Sequence, residues 1–185
     1  MKKSALIMVL WALPAFSGGA FASSVTLETV NAGYKVTGRF SVSAAPAVAW
    51  SVITDYDGIG TFVSSIKRSR VLVREPGKAL LEQQGTGSFL FVRRTLKLML
   101  SVRERPFERV DFEEVSGENF SLYEGSWRIE GSEKGSTVVY ELTAAPHASL
   151  GPGFAAKAAL RRGAASLLDE VRVEIERRAR GREAS

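Results

Sequence analysis

Tyr123, Gly125, Trp127 and Ile129 alternate along one stretch of the chain. In an extended strand they share a face. Two amphipathic rings beside a position with no side chain make a wall for a flat or branched apolar molecule, and each ring keeps one polar edge for a hydrogen bond. The same residues also suit an ordinary core, and both readings stand at this level. Leu98 and Leu100 alternate with Lys97 and Met99 on another segment and are core or cavity lining in the same way. Glu82 and Gln84 raise a sharper question, because an inward carboxylate needs a partner. Arg94 is the candidate, and an inward Glu82–Arg94 pair would make a polar end to an apolar cavity. The alternative is that Arg93 and Arg94 are exposed arginines at a sheet edge.

The residues that are missing exclude more than those present suggest. The chain has 185 residues, no Cys and one His. That removes disulfide frameworks, zinc fingers, iron–sulfur sites and thiol nucleophiles. His147 follows Pro146 in a loop and reads as a surface residue, with no Ser-His-Asp arrangement around it. The run GTGSF at 85–89 lacks the strand-then-helix setting of a phosphate loop. No catalytic residue, metal ligand or cofactor is therefore assigned. Lys and Arg number 25 against 20 Asp and Glu, a formal charge of +5. The basic clusters are separated by acidic residues, which is a solvated surface and not a nucleic-acid interface. A weak, transient attraction to anionic lipid head groups is compatible with it.

Residues 1–22 form a segment of their own. Lys2 and Lys3 precede an apolar run from Ala5 to Phe16, and Ala20-Phe21-Ala22 closes it with small residues at the first and third positions before a cut. This is the pattern of a secretory signal peptide, and the run is short for a transmembrane helix of roughly 20 residues. An uncleaved anchor is the alternative. The segment carries two lysines and no acid, so cleavage lowers the charge from +5 to +3. The expected destination is outside the cytoplasm, in the periplasm of a Gram-negative bacterium.

The remaining elements must position the aromatic face. Residues 23–32 are an N-terminal extension, and 33–43 alternate as a half-buried strand. Pro46 opens a short helix over 46–54, and Ile59, Phe62, Val63 and Ile66 mark a second. Strands follow at 70–75, 79–86, 89–105, 109–115, 120–130 and 136–144, with a bulge or bend at Arg93-Arg94. A helix runs from about Phe154 to Arg180 with Leu160, Ala164, Leu167, Leu168, Val171 and Ile175 on one stripe. Residues 181–185 are a disordered tail. The expected fold is α+β: a curved seven-stranded antiparallel sheet wrapped around one long C-terminal helix. No other element is long enough to cover the apolar face of the sheet. The first half of that helix is rich in Ala and fills space poorly, which predicts an elongated apolar cavity of about 300–1,000 Å³.

The segment AVAWSVITDYDGIGTFVSSIKRSRVL (47–72) resembles the helix–loop–strand portion of the START-like helix-grip (SRPBCC) superfamily. Within it, the chain is similar to the polyketide cyclase/dehydrase and coenzyme Q-binding protein branch. FLFVRRTLKLMLSVRERP (89–106), NFSLYEGSWRIE (119–130) and the closing helix match too, so the resemblance covers about residues 33–178. It implies a shared cavity without a shared reaction, since the superfamily includes lipid carriers, quinone-binding proteins, aromatase/cyclases and hormone receptors. The leading expectation is an exported binding protein for a lipid, quinone or polyketide-like molecule, contacted by Tyr123, Trp127, Ile129, Leu98, Leu100, Arg94, Glu82, Leu160 and Ala164. A cyclase or dehydratase acting in the same cavity, with Tyr123, Glu82 and Arg94 as its polar groups, is the alternative. A protein that docks on the envelope through a basic rim is the third reading.

Overall fold

The computed structural model describes residues 23–183 except 32, 90, 91 and 133, and leaves out the side chains of 88, 89, 92–94 and 183. The candidate signal peptide lies outside the described residues, as do residues 184 and 185 of the expected tail, whereas 181–183 continue the C-terminal helix. Eight strands form one antiparallel sheet: β1 Ser24–Val30, β2 Gly33–Val42, β3 Ile66–Glu75, β4 Lys78–Phe89, β5 Val92–Arg105, β6 Arg109–Glu114, β7 Phe120–Ser132 and β8 Gly135–Pro146. Helix α1 (Pro46–Ile53) follows β2, and helix α2 (Gly153–Glu183) closes the chain. The strand order is β1-β2-β8-β7-β6-β5-β4-β3. Five successive hairpin connections lay β3 to β8 side by side, and β8 then pairs with β2.

This is the expected α+β helix-grip arrangement with one strand more. Residues 24–30, set apart from the sequence as an extension, pair with β2 from Ser24↔Arg39 to Val30↔Gly33. Val25 and Leu27 alternate with polar residues and pack against the core, so the strand signal is present but only two apolar residues long. The expected second helix is reduced to a 3-10 turn at Ile59–Thr61. Gly58 and Gly60 shorten it, and Ile66 belongs to β3 instead. No bulge occurs at Arg93-Arg94. The β4–β5 register runs unbroken from Lys78↔Arg103 to Phe89↔Val92, which places those arginines near the hairpin end of β5. The register shifts lie instead on β3, between Ile66 and Arg68 and between Val71 and Val73, and on β7, between Phe120 and Leu122.

Helix α2 touches β1 and β2 on one side of the sheet and β4 on the other. From β2 to β4 there are five strand spacings, about 24 Å at about 4.8 Å each, whereas a helix is about 10–12 Å across. The sheet must therefore curl round α2. The C-terminal half of the helix fills the curl with Leu168, Val171 and Ile175, all at most 2% exposed. These pack in one cluster with Val36 and Phe40 of β2, Val138 of β8, and Val48, Val52 and Ile53 of α1. The closest approach is at Gly38, where a Cβ would sit 2.1 Å from Leu168 Cδ1. We expect Gly38→Ala to cost about 1–3 kcal/mol by overpacking, read by urea denaturation. The double variant with Leu168→Ala should lose less than the two single losses added together, and strict additivity would show that the approach is loose.

Candidate functional site

The N-terminal half of α2 packs differently. Leu160, Ala164 and Leu167 lie one above another on the face turned to the sheet, with exposed Gly163 at its edge, since residues three and four apart align on a helix. Ala164 and Gly163 leave little side-chain bulk between the two leucines. A cavity of about 380 Å³ remains between this half of α2 and the sheet. Leu96 and Leu98 of β5, Phe120 and Tyr123 of β7, and Tyr140 and Leu142 of β8 make its opposite wall. Ser65, Gln83, Thr86 and Arg162 add polar groups. The cavity follows from residue size along one helix: Ala and Gly at one end, Leu, Val and Ile at the other.

Aromatic rings continue from the cavity into the core. Phe120 lies 4.9 Å from Tyr123, Tyr123 lies 6.1 Å from Phe112, Phe112 stacks on Tyr140 at 6.1 Å, and Tyr140 meets Trp127 at 4.5 Å. Gly125 is required in this row because a Cβ there would sit 2.7 Å from the Phe112 ring and 2.1 Å from the Glu141 carbonyl oxygen. Burial pushes the Tyr123 phenol up and holds Tyr140 well above the usual tyrosine range, and the two phenols lie close enough to influence one another. Both groups stay protonated at neutral pH, so they act as donors and not as bases.

Of the residues singled out from sequence, Tyr123, Leu98, Leu160 and Ala164 line the cavity. Trp127, Ile129 and Leu100 share the inward face but are packed into the core beside it. Glu82 points the other way. Its carboxylate pairs with Arg70 at 3.2 Å on the outer face, with nearly half its side chain exposed. It also sits opposite Met99, whereas Arg94 sits opposite Gly87, five residues along β4. At about 3.3 Å per residue that is roughly 17 Å, so the inward Glu82–Arg94 pair does not form. The side chain of Arg94 is outside the described residues. The alternation of β4 turns Gln83 inward instead, where its amide donates to Ser69 Oγ at 3.2 Å.

Phe120 and Tyr140 were missed in the sequence for different reasons. Strict alternation puts Phe120 on the face opposite Tyr123, and the β7 bulge brings it inward to 4% exposure. Tyr140 was legible, since Val138, Tyr140, Leu142 and Ala144 alternate inward along β8. His147 hydrogen-bonds the Gly117 carbonyl at 3.0 Å and is half-buried.

Two other polar clusters lie away from the cavity. A depression of about 270 Å³ on the outer face of the sheet is crossed by the pairs Lys35–Glu141, Arg109–Asp111 and Arg103–Glu113. The buried Tyr56 hydroxyl donates to Glu104 Oε1 at 2.8 Å, and Arg74 pairs with the same carboxylate. Neither offers an apolar surface.

A family model for "Polyketide cyclase / dehydrase and lipid transport" matches residues 42–172. No protein of curated function matches in sequence. Among solved structures, the Zhui aromatase/cyclase from Streptomyces sp. R1128 superposes with a TM-score of 0.68 at 16% identity, covering 78% of this chain and 94% of that one. The STAR-related lipid transfer protein from Xanthomonas axonopodis gives 0.68 at 14% identity, covering 83% and 93%. Human STARD10 gives 0.66 at 12% identity, covering 83% and 69%. At such identities these likenesses establish the helix-grip fold.

Proposed function

The chain belongs to the polyketide cyclase/dehydrase and lipid transport family, and from that premise we propose that it is an exported binding protein that holds a lipid, quinone or polyketide-like molecule in its cavity. The observation that carries this reading is the cavity of about 380 Å³ under the Ala- and Gly-containing half of α2, walled by leucines and aromatic rings. Burying about 400 Å² of ligand apolar surface at roughly 25 cal/mol per Å² is worth near 10 kcal/mol before ordering costs. The Tyr123 and Tyr140 phenols, which keep their protons and line the cavity, add directed donors that suit a carbonyl or hydroxyl oxygen on the ligand. Binding is favoured over turnover because no carboxylate or imidazole is among the described lining residues, and the phenols there hold their protons. Export rests on the charge, length and small-residue pattern of residues 1–22.

Two measurements test the proposal. Apolar extraction and mass spectrometry of protein purified from its own host should recover a bound small molecule. Recovery of nothing above a cavity-filled variant would count against it. N-terminal sequencing of the same preparation should begin at Ser23, and an intact Met1 on protein recovered from the soluble cytoplasmic fraction would remove the export part.

A further inference from the structure

Arg162 is the one charged residue among the described residues lining the cavity, and no Asp or Glu lines it. It is exposed, and it makes no ion pair or hydrogen bond among the described residues. Three arginines on the C-terminal half of α2 contrast with it. Arg172 pairs with Glu176 at 3.0 Å, and Arg177 and Arg178 both pair with Glu174 at 2.7 Å. An exposed guanidinium on a residue that lines an apolar cavity is well placed to meet an anionic head at its mouth. Its planar fork matches a carboxylate or phosphate with two parallel hydrogen bonds. The cavity is also small. At roughly 30 Å³ for a group of water size, 380 Å³ holds about a dozen such groups, which is one acyl chain and not two.

We infer that the cavity selects single-chain or similarly compact amphiphiles with an anionic head, the apolar body lying between α2 and the sheet and the head pairing with Arg162. This rests on the reading of the cavity as a binding site. Specificity then comes from one residue at the rim, while affinity comes from the apolar wall. Cations are disfavoured by Arg162, and neutral heads forgo its charge-assisted bonds.

The test titrates the mature protein with laurate, methyl laurate and dodecylamine by calorimetry. These three share a twelve-carbon chain and differ in head charge. Charge-assisted hydrogen bonds of about 1.5–3 kcal/mol correspond to about tenfold to a hundredfold tighter binding of laurate than of either competitor. Arg162→Gln should bring laurate and methyl laurate within about twofold of each other while leaving methyl laurate unchanged. The preference should also weaken as salt rises. Equal affinity of the wild-type protein for all three probes, or an undiminished laurate preference in Arg162→Gln, would overturn the inference and leave the binding reading standing. Failure of laurate and methyl laurate alike to bind would overturn the binding reading, and the head-group rule with it.

Discussion

Gly163→Phe is expected to leave the protein folded and to lower its affinity for laurate and methyl laurate alike by roughly a hundredfold. Gly163 is an exposed residue at the edge of the inward stripe, between Leu160 and Leu167, and it lines the cavity. A Cβ at this position meets nothing within 4 Å. A phenyl ring there has room to lie over the cavity mouth without striking the protein. If it excludes about 120 Å² of ligand apolar surface, the loss is about 3 kcal/mol, which is the stated hundredfold. Folding should not suffer. Gly in a helix interior is about 1 kcal/mol less favourable than Ala, so Gly163→Ala should raise the melting temperature by about 2–4 °C and Gly163→Phe should not lower it. Circular dichroism melts and calorimetric titrations check both halves. Wild-type affinity in a stably folded Gly163→Phe protein would place the binding site elsewhere. A collapsed melting temperature would show that the helix face is packed and not open.

The second large effect concerns the opposite end of α2. Arg178→Ala should destabilise the protein by about 2–4 kcal/mol. That is somewhat less than the about 3–5 kcal/mol for breaking a fully buried pair, because a quarter of the Arg178 side chain is exposed. Arg178 Nε donates to Glu174 at 2.7 Å, Nη1 to the Ser51 carbonyl at 3.0 Å and Nη2 to Asp55 at 2.5 Å. Its guanidinium also covers the Phe62 ring at 5.6 Å. One side chain thus joins α2 to the end of α1 and to the segment before β3. Asp55 in turn accepts from the Gly58 N–H at 3.1 Å, so the turn and the clamp share a residue.

The clamp also sets an acid dependence with a definite sign. Hydrogen bonds from Arg177, with Arg178 behind them and burial opposing, hold the Glu174 carboxyl down to about 2 from an ordinary 4.5. Its folded value is below its unfolded value. The stabilisation is complete above about pH 4.5 and is lost as pH falls toward 2. At 1.36 kcal/mol per pKa unit this is at most about 3 kcal/mol. Wild-type stability, followed by urea denaturation between pH 5 and pH 2, should fall more steeply than that of Glu174→Gln. Parallel pH profiles for the two proteins would show that the carboxylate is not held by this network.

Little of that clamp was visible beforehand. Asp55 and Arg178 are far apart in sequence, and their meeting depends on α2 running back across α1. The helix stripe and the strand alternation were legible because each repeats locally, at 3.6 and at 2.0 residues. The aromatic face of β7 followed from the same alternation as far as Tyr123, Trp127 and Ile129. Alternation failed at Phe120, where one bulged residue reverses the face. It left β1 unread, because two apolar residues are a short signal. Glu82 went wrong for a different reason. The sequence presents Glu, Gln and Gln in a row, and only the strand register decides that Gln83 turns inward while Glu82 meets Arg70 outside.

The sequence by itself determined the class of fold and the existence of a cavity. The cause of both is additive: apolar periodicity specifies each element, and small residues along half of one helix leave space whatever they face. Only the tertiary structure decided which groups look into that space. Tyr140 beside Tyr123 and Arg162 as the one charge on the lining arise from pairings across the sheet and across α2. No local pattern encodes those pairings, because they depend on register and on the curl of eight strands around one helix.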